Sequence, residues 1–246
     1  MSGFVSADWE ATAEEGTTQT LVNFALSAGS NRKVLIAVCS EDAGDTDGVV
    51  SGVTFNASAT GITKIDEIVA AGAGLTLSVW EILEADLPAT GSYNIVGTYT
   101  GTVDKRSIMA IELDDMDQNV YDAAAKEGLT DTQTVRDVEL TTVVVNSLIV
   151  CFAIGSQGSL TGEPNTSDYT ATQRLEQTGA SHSIWASTGD AASIATYTVG
   201  LTWSGACVAD IIASAHAPYV APGGSPSLVS RHHPRGVLRG VLRGIS

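Results

Sequence analysis

The chain has 246 residues, 43% of them hydrophobic and 6% aromatic, with 25 glycines, six prolines and a formal net charge of −16. That length and apolar fraction suit one large all-β domain or two small ones, and the Gly-rich, aromatic-poor composition favours a sandwich or barrel over a helical fold. No apolar run reaches the ~18 residues of a membrane-spanning helix, and an acidic body repels nucleic acid, so neither a membrane nor a nucleic acid is expected as a partner.

Residues 1–16 are polar, with Phe4 and Trp9 as anchors, and Thr17–Leu26 reads as the first strand. A turn at Ser27–Asn31 leads into Asn31-Arg-Lys-Val-Leu-Ile-Ala-Val-Cys-Ser40, an apolar, β-branched run that predicts a strand buried on both faces. Val53-Thr-Phe55 and Ile62–Val69 follow as strands. Leu75–Leu83 alternates cleanly, with Leu75, Leu77, Val79, Glu81 and Leu83 on one face and Trp80 on the other. After a turn at Pro88–Gly91, Tyr93–Gly101 and Ser107–Leu113 close the first half.

The same features then recur in the same order. Asn146-Ser-Leu-Ile-Val-Cys-Phe-Ala-Ile-Gly155 repeats the buried strand, Tyr169–Leu175 stands where Ile62–Val69 stood, and Ser183-Ile-Trp185 matches Ser78-Val-Trp80. Tyr197–Gly205 aligns with Tyr93–Gly101 without a gap, and Val208–Ala215 with Ser107–Leu113. The prediction is an all-β fold: an antiparallel β-sandwich of jelly-roll type over residues 1–220, built from half-units at about 17–116 and 137–217. Each half alone would expose an apolar face that the other covers. The polar segment from Asp117 to Arg136 between them is read as a linker, with one helical turn near Ala123–Lys126.

Residues 221–246 differ in character. Ala-Pro-Gly-Gly-Ser-Pro226 is a linker by composition, and Arg231, Arg235, Arg239 and Arg243 then recur every four residues. Residues 1–220 hold all 28 acidic residues and eight Lys/Arg, a net of −20, whereas the tail holds four Arg and no acid. A basic tail on an acidic body predicts docking onto an acidic partner, with Arg231, Arg235, Arg239 and Arg243 pairing to carboxylates and Val237, Leu238, Val241 and Leu242 filling pockets.

Chemistry-bearing motifs are sparse. Cys39, Cys151 and Cys207 read as buried free thiols of a protein made in a reducing cytoplasm, and Met1-Ser-Gly-Phe-Val has neither the basic nor the apolar region of a secretory signal. Asp45 and Asp47, with Gly48, form part of a calcium-loop pattern without its distal Glu, so a solvated acidic loop is preferred and no metal or cofactor is expected. Asp114, Asp115 and Asp117 form a second such cluster. His182, with Asp168 and Glu176 upstream, allows a hydrolytic constellation only on paper, since no GxSxG or HExxH pattern accompanies it. Trp80 and Trp185 are sugar-stacking platforms or core, and their matched strand positions favour core.

The order of a strand like Asn31–Val38, then Val53-Thr-Phe55, the Val79-Trp80 strand, the Pro88–Gly91 turn and Ile111-Glu-Leu-Asp-Asp-Met-Asp-Gln118 resembles the β-sandwich modules of virion structural proteins in tailed bacteriophages. The resemblance covers roughly residues 17–217. It implies a non-enzymatic virion protein, a capsid decoration (cement) protein or, as the alternative, a receptor- or glycan-binding fibre module. It also implies a homo-oligomer, a trimer being favoured, and with the basic tail read as the attachment, the expected partner is the major capsid protein or another virion protein. No catalytic residue follows from it.

Overall fold

The computed structural model describes residues 3–42, 48–70, 74–119, 121–128, 131–157, 160–166, 168–177 and 182–221. The first half contains β1 (Gly3–Thr12), β2 (Gly16–Leu26), β3 (Lys33–Glu41), β4 (Val50–Phe55), β5 (Ile62–Ala70), β6 (Leu75–Leu83), β7 (Gly91–Val103) and β8 (Lys105–Asp114). The second contains β9 (Ala123–Gly128), β10 (Gln133–Thr141), β11 (Ser147–Gly155), β12 (Gly162–Asn165), β13 (Ala171–Gln177), β14 (Ser183–Ala191), β15 (Thr196–Cys207) and β16 (Ala209–His216).

The two halves have one topology. The first forms a five-stranded sheet, β1-β8-β3-β6-β5, and a three-stranded sheet, β2-β7-β4; the second forms β9-β16-β11-β14-β13 and β10-β15-β12. Shifting every strand number by eight turns one half into the other. All pairings are antiparallel. The order 1-8-3-6 facing 2-7-4 is the wrapping of a jelly roll, with the fifth strand beside the sixth.

Each half is therefore a complete two-sheet sandwich, and the two stack through their five-stranded sheets into four layers. Along β3, Val34, Ile36 and Val38 join Leu21, Phe24 and Ile95 in a core under the first half's small sheet. Leu35, Ala37 and Cys39 point the other way, into a central core shared with Leu148, Val150, Phe152 and Ile154 of β11. Ile149, Cys151 and Ala153 face the third core, with Trp185, Val199 and Leu201. This layering explains the unbroken apolar runs: a strand in an inner layer has no solvent face. Cys39 and Cys151 occupy equivalent strands, as the repeat requires, but opposite faces.

Other marks of the duplication are local. Asn31 and Asn146, just before β3 and β11, both adopt left-handed backbone, at φ 55° and 59°, a conformation Asn tolerates better than other non-glycine residues. The Tyr93 hydroxyl donates to the Ala89 carbonyl at 2.7 Å, and the Tyr197 hydroxyl to the Ser193 carbonyl at 2.8 Å, each four residues upstream. Gly97 on β7 lets the small sheet lie close to β3, because a Cβ there would come within 2.6 Å of Val38 Cγ1.

The segments read as flank and linker contain strands. Residues 3–12 form β1, whose register shift between Phe4 and Ser6 brings Phe4, Ala7 and Trp9 onto the central core together. The helical turn expected at Ala123–Lys126 is strand β9, and β10 begins before Arg136. Three alanines favour a helix only weakly, and six residues are too few to nucleate one. Pairing with β16 bonds the backbone instead, and Lys126 Nζ reaches Asp66 Oδ1 at 2.6 Å across the halves.

Candidate functional site

The ends of the two halves meet where the chain leaves β8 and β16. Met116 N donates to the Asn31 carbonyl, Asp117 N to the Ala217 carbonyl and Tyr219 N to the Asp115 carbonyl. Around this junction lie two clefts that share Asp190. One, of about 430 Å³, is lined by Gly3, Phe4 and Asp114 from the first half and by Arg174, Thr188 and Asp190 from the second. Its Arg174 guanidinium lies 4.0 Å over the Phe4 ring while Nε donates to Thr188 Oγ1 at 2.7 Å. The other, of about 600 Å³, is bounded by Asp115, Asn146, Ala192, Pro218 and Tyr219. Tyr219 is 41% exposed there.

The junction is also where the halves differ. In the first half the β2–β3 and β6–β7 loops are tied by Arg32, whose guanidinium grips Glu84 at 2.7 Å and donates to the Ser27 carbonyl at 2.9 Å. The equivalent β10–β11 and β14–β15 loops are joined through Thr142, whose N–H donates to the Ala195 carbonyl at 3.0 Å. They leave Val143, Val145 and Ile194 at 59%, 51% and 58% exposed.

Two polar clusters are buried in the central core. Near this end, Lys33 and Glu81 stand 3.6 Å apart. Lys33 Nζ donates to the Asn119 carbonyl at 2.8 Å, and Tyr121 N donates to Glu81 Oε1 at 3.3 Å. Burial lowers the Lys33 ammonium and raises the Glu81 carboxyl, each against the pull of its partner. At the other end, His182 Nε2 and Ser107 Oγ are 3.0 Å apart, both fully buried. Burial holds the His182 ring neutral down to about 4 and lifts the Cys39 thiol to about 12. Asp210, with no hydrogen-bond partner on either carboxylate oxygen among the described residues, is raised to about 7 by burial, against the opposing field of Arg136.

These facts place the sequence-derived candidates. His182 meets Ser107 in an enclosed interface, while Glu176 accepts Gly162 N at 2.6 Å. Trp185 is fully buried with Nε1 donating to the Gly162 carbonyl, and Trp80 lies under Lys64 at 4.8 Å, so neither presents a bare face. Asp117 Oδ1 accepts from Asn119 N and Nδ2, and Asp114 Oδ1 from Gly3 N. Among the described residues no group of three or more His, Cys, Asp or Glu is placed to hold a metal. All three cysteines are free and buried. Asp45, Asp47 and the tail residues Arg231, Arg235, Val237, Leu238, Arg239, Val241, Leu242 and Arg243 lie outside the described residues. Sequence reasoning missed the Val143, Val145, Ile194 and Tyr219 surface. Its one signal was Val143-Val-Val145, an apolar run sitting between two strands rather than within one.

The interface cluster titrates in opposite senses. His182 folds neutral, so its contribution is complete above about 6.5 and is lost as pH falls toward 4. Asp210 folds protonated, so its cost is absent below 3.8 and complete above about 7. Asp210→Asn is therefore expected to stabilise the protein at pH 8 by on the order of 2–4 kcal/mol, because it removes the cost of ionising a buried carboxyl raised to about 7. It should change little at pH 4. Thermal melts at both values check this, and an equal gain at both would contradict it.

Comparison with protein-family models, with curated proteins and with solved structures finds no match to this chain. The fold itself places the chain among all-β proteins, as a tandem of two face-to-face jelly-roll sandwiches. No helix among the described residues is long and apolar enough to cross a membrane.

Proposed function

We propose that this chain is a non-enzymatic structural protein of a tailed-phage virion, a capsid decoration protein that attaches through its C-terminal tail. The observation that carries the reading is the division of charge: net −20 over residues 1–220, and four Arg with no acid over 221–246. A body whose inner layers are closed on both faces suits a durable external part, and a basic, apolar-studded tail suits an acidic docking surface. Jelly rolls recur in viral shells and in lectins, which is an argument by analogy of fold alone. Assembly as a homo-oligomer, with a trimer favoured, belongs to the same proposal.

Co-sedimentation with particles lacking the protein tests it. Deleting residues 228–246, or reversing Arg235, Arg239 and Arg243 together to Glu, is expected to weaken attachment at least roughly tenfold. A single reversal should be tolerated, because one exposed pair contributes only ~0.2–1 kcal/mol. Full-strength attachment of the truncated protein would overturn the proposal.

The polar cleft between the halves favours a second reading, a glycan-binding fibre module. Asp114, Asp190, Thr188 and Arg174 converge there on about 430 Å³. Glycan binding abolished by Asp190→Ala, with no effect of the tail deletion, would select it.

A further inference from the structure

The second half of the body carries an exposed apolar surface beside the last described residue, Ala221. Val143, Val145 and Ile194, each more than half exposed, stand on the two loops whose first-half equivalents are closed by the Arg32–Glu84 ion pair. Asn146 and Ala192, from the same loops, line the cleft of about 600 Å³ together with Pro218, Tyr219 and Ala221. The duplication makes the contrast informative. One scaffold seals this loop pair with charge in one half and leaves it apolar in the other, and contiguous exposed apolar surface marks a place where something binds.

We propose that the occupant is residues 235–245 of the same chain, laid over these loops with Val237, Leu238, Val241 and Leu242 against Val143, Val145, Ile194 and Tyr219. Three observations select it. Ala221, the last described residue, itself lines the cleft, so the tail begins at the patch. The fourteen residues from there to Arg235 reach up to roughly 45 Å when extended, which is ample for a return. The chemistry also matches. The repeat Gly-Val-Leu-Arg pairs each apolar doublet with one cation, and the patch is bordered by Asp115 and Asp190 in the cleft wall. Asp122 adds a third carboxylate through its bond to Ser147 Oγ, at 3.0 Å, beside the β10–β11 loop. A short tether gives the segment an effective concentration on the order of millimolar, so docking within one chain outcompetes docking on a neighbour in dilute solution. The inference does not depend on what the tail attaches to, and it makes the stowed tail a competitor of any such partner.

The test uses the full chain with Ser246→Cys carrying a nitroxide, the three native thiols being buried. Docking predicts selective broadening of the Val143, Val145 and Ile194 methyl resonances, with Val22 on β2 unaffected. The broadening should persist on tenfold dilution, weaken in high salt and vanish in Leu238→Asp/Leu242→Asp. Tryptic cleavage after Arg235, Arg239 and Arg243 should accelerate at least tenfold in Val143→Asn/Ile194→Asn, whose changes fall on exposed loop positions. Broadening that fades on dilution would assign the patch to a neighbouring copy's tail and overturn docking within one chain. No broadening, or unchanged cleavage, would overturn the docking altogether.

Discussion

Lys33→Met is expected to destabilise the protein by about 3–5 kcal/mol, the range for removing one partner of a buried ion pair. Both side chains are 1% exposed and 3.6 Å apart, outside hydrogen-bond distance, so the pair is held by field rather than by a direct bond. Without Lys33, Glu81 remains in the central core with Tyr121 N as its one hydrogen-bond partner among the described residues. The double variant Lys33→Met/Glu81→Leu should recover most of the loss, because two apolar side chains avoid the desolvation of both charges. It would still lack the bonds to the Asn119 carbonyl and Tyr121 N that tether the connection between the halves. The double variant is therefore expected to be stable yet cleaved faster between residues 117 and 122. Urea unfolding of the two single variants and the double closes the cycle. Losses that simply add would mean the two charges do not stabilise each other.

Phe152→Ala carries the second large expected effect, about 3–5 kcal/mol. Phe152 is fully buried at the middle of β11, between Ala186 on β14 and Ile212 on β16, and faces the first half across the central core. The rigid layers on both sides cannot collapse into the space left behind, so the cavity penalty adds to the lost burial. Because the residue is shared by two sandwiches, its loss should shift one common unfolding transition. Calorimetry showing two transitions, with only one displaced, would mean that the halves fold independently and that the shared core does not couple them. The test thus separates a stacked pair of domains from a single four-layer unit.

Much of the architecture was legible in the chain. Leu75–Leu83 was bounded as a strand to the residue, and the match of Tyr93–Gly101 to Tyr197–Gly205 predicted two equivalent strands, β7 and β15. What periodicity missed were strands with weak apolar signals. β1 is mostly half-buried and broken by a bulge, β9 is Ala-rich, and β12 carries Pro164 at a sheet edge, where a missing N–H costs no ladder bond. The site was less legible. Val143 and Val145 have the residue type of a strand and lie between β10 and β11, and only the loop geometry exposes them.

Sequence alone determined that the chain is all-β, that it is duplicated, and that its central strands are buried on both faces. Each of these follows from local pattern: alternation, β-branched runs and turn residues act within a few positions and recur when the chain recurs. Only the tertiary structure decided what covers each face. Double burial on β3 and β11 is equally met by one thick sandwich or by two stacked ones, and the choice of four layers rests on residues more than a hundred positions apart. The same holds for Cys39 and Cys151, alike in sequence context yet directed to different cores, because a shift of an odd number of residues within a strand reverses its faces. It holds too for the apolar end of the second half, because only the fold decides that the Val143-Val-Val145 run lies on an exposed loop and not in a strand.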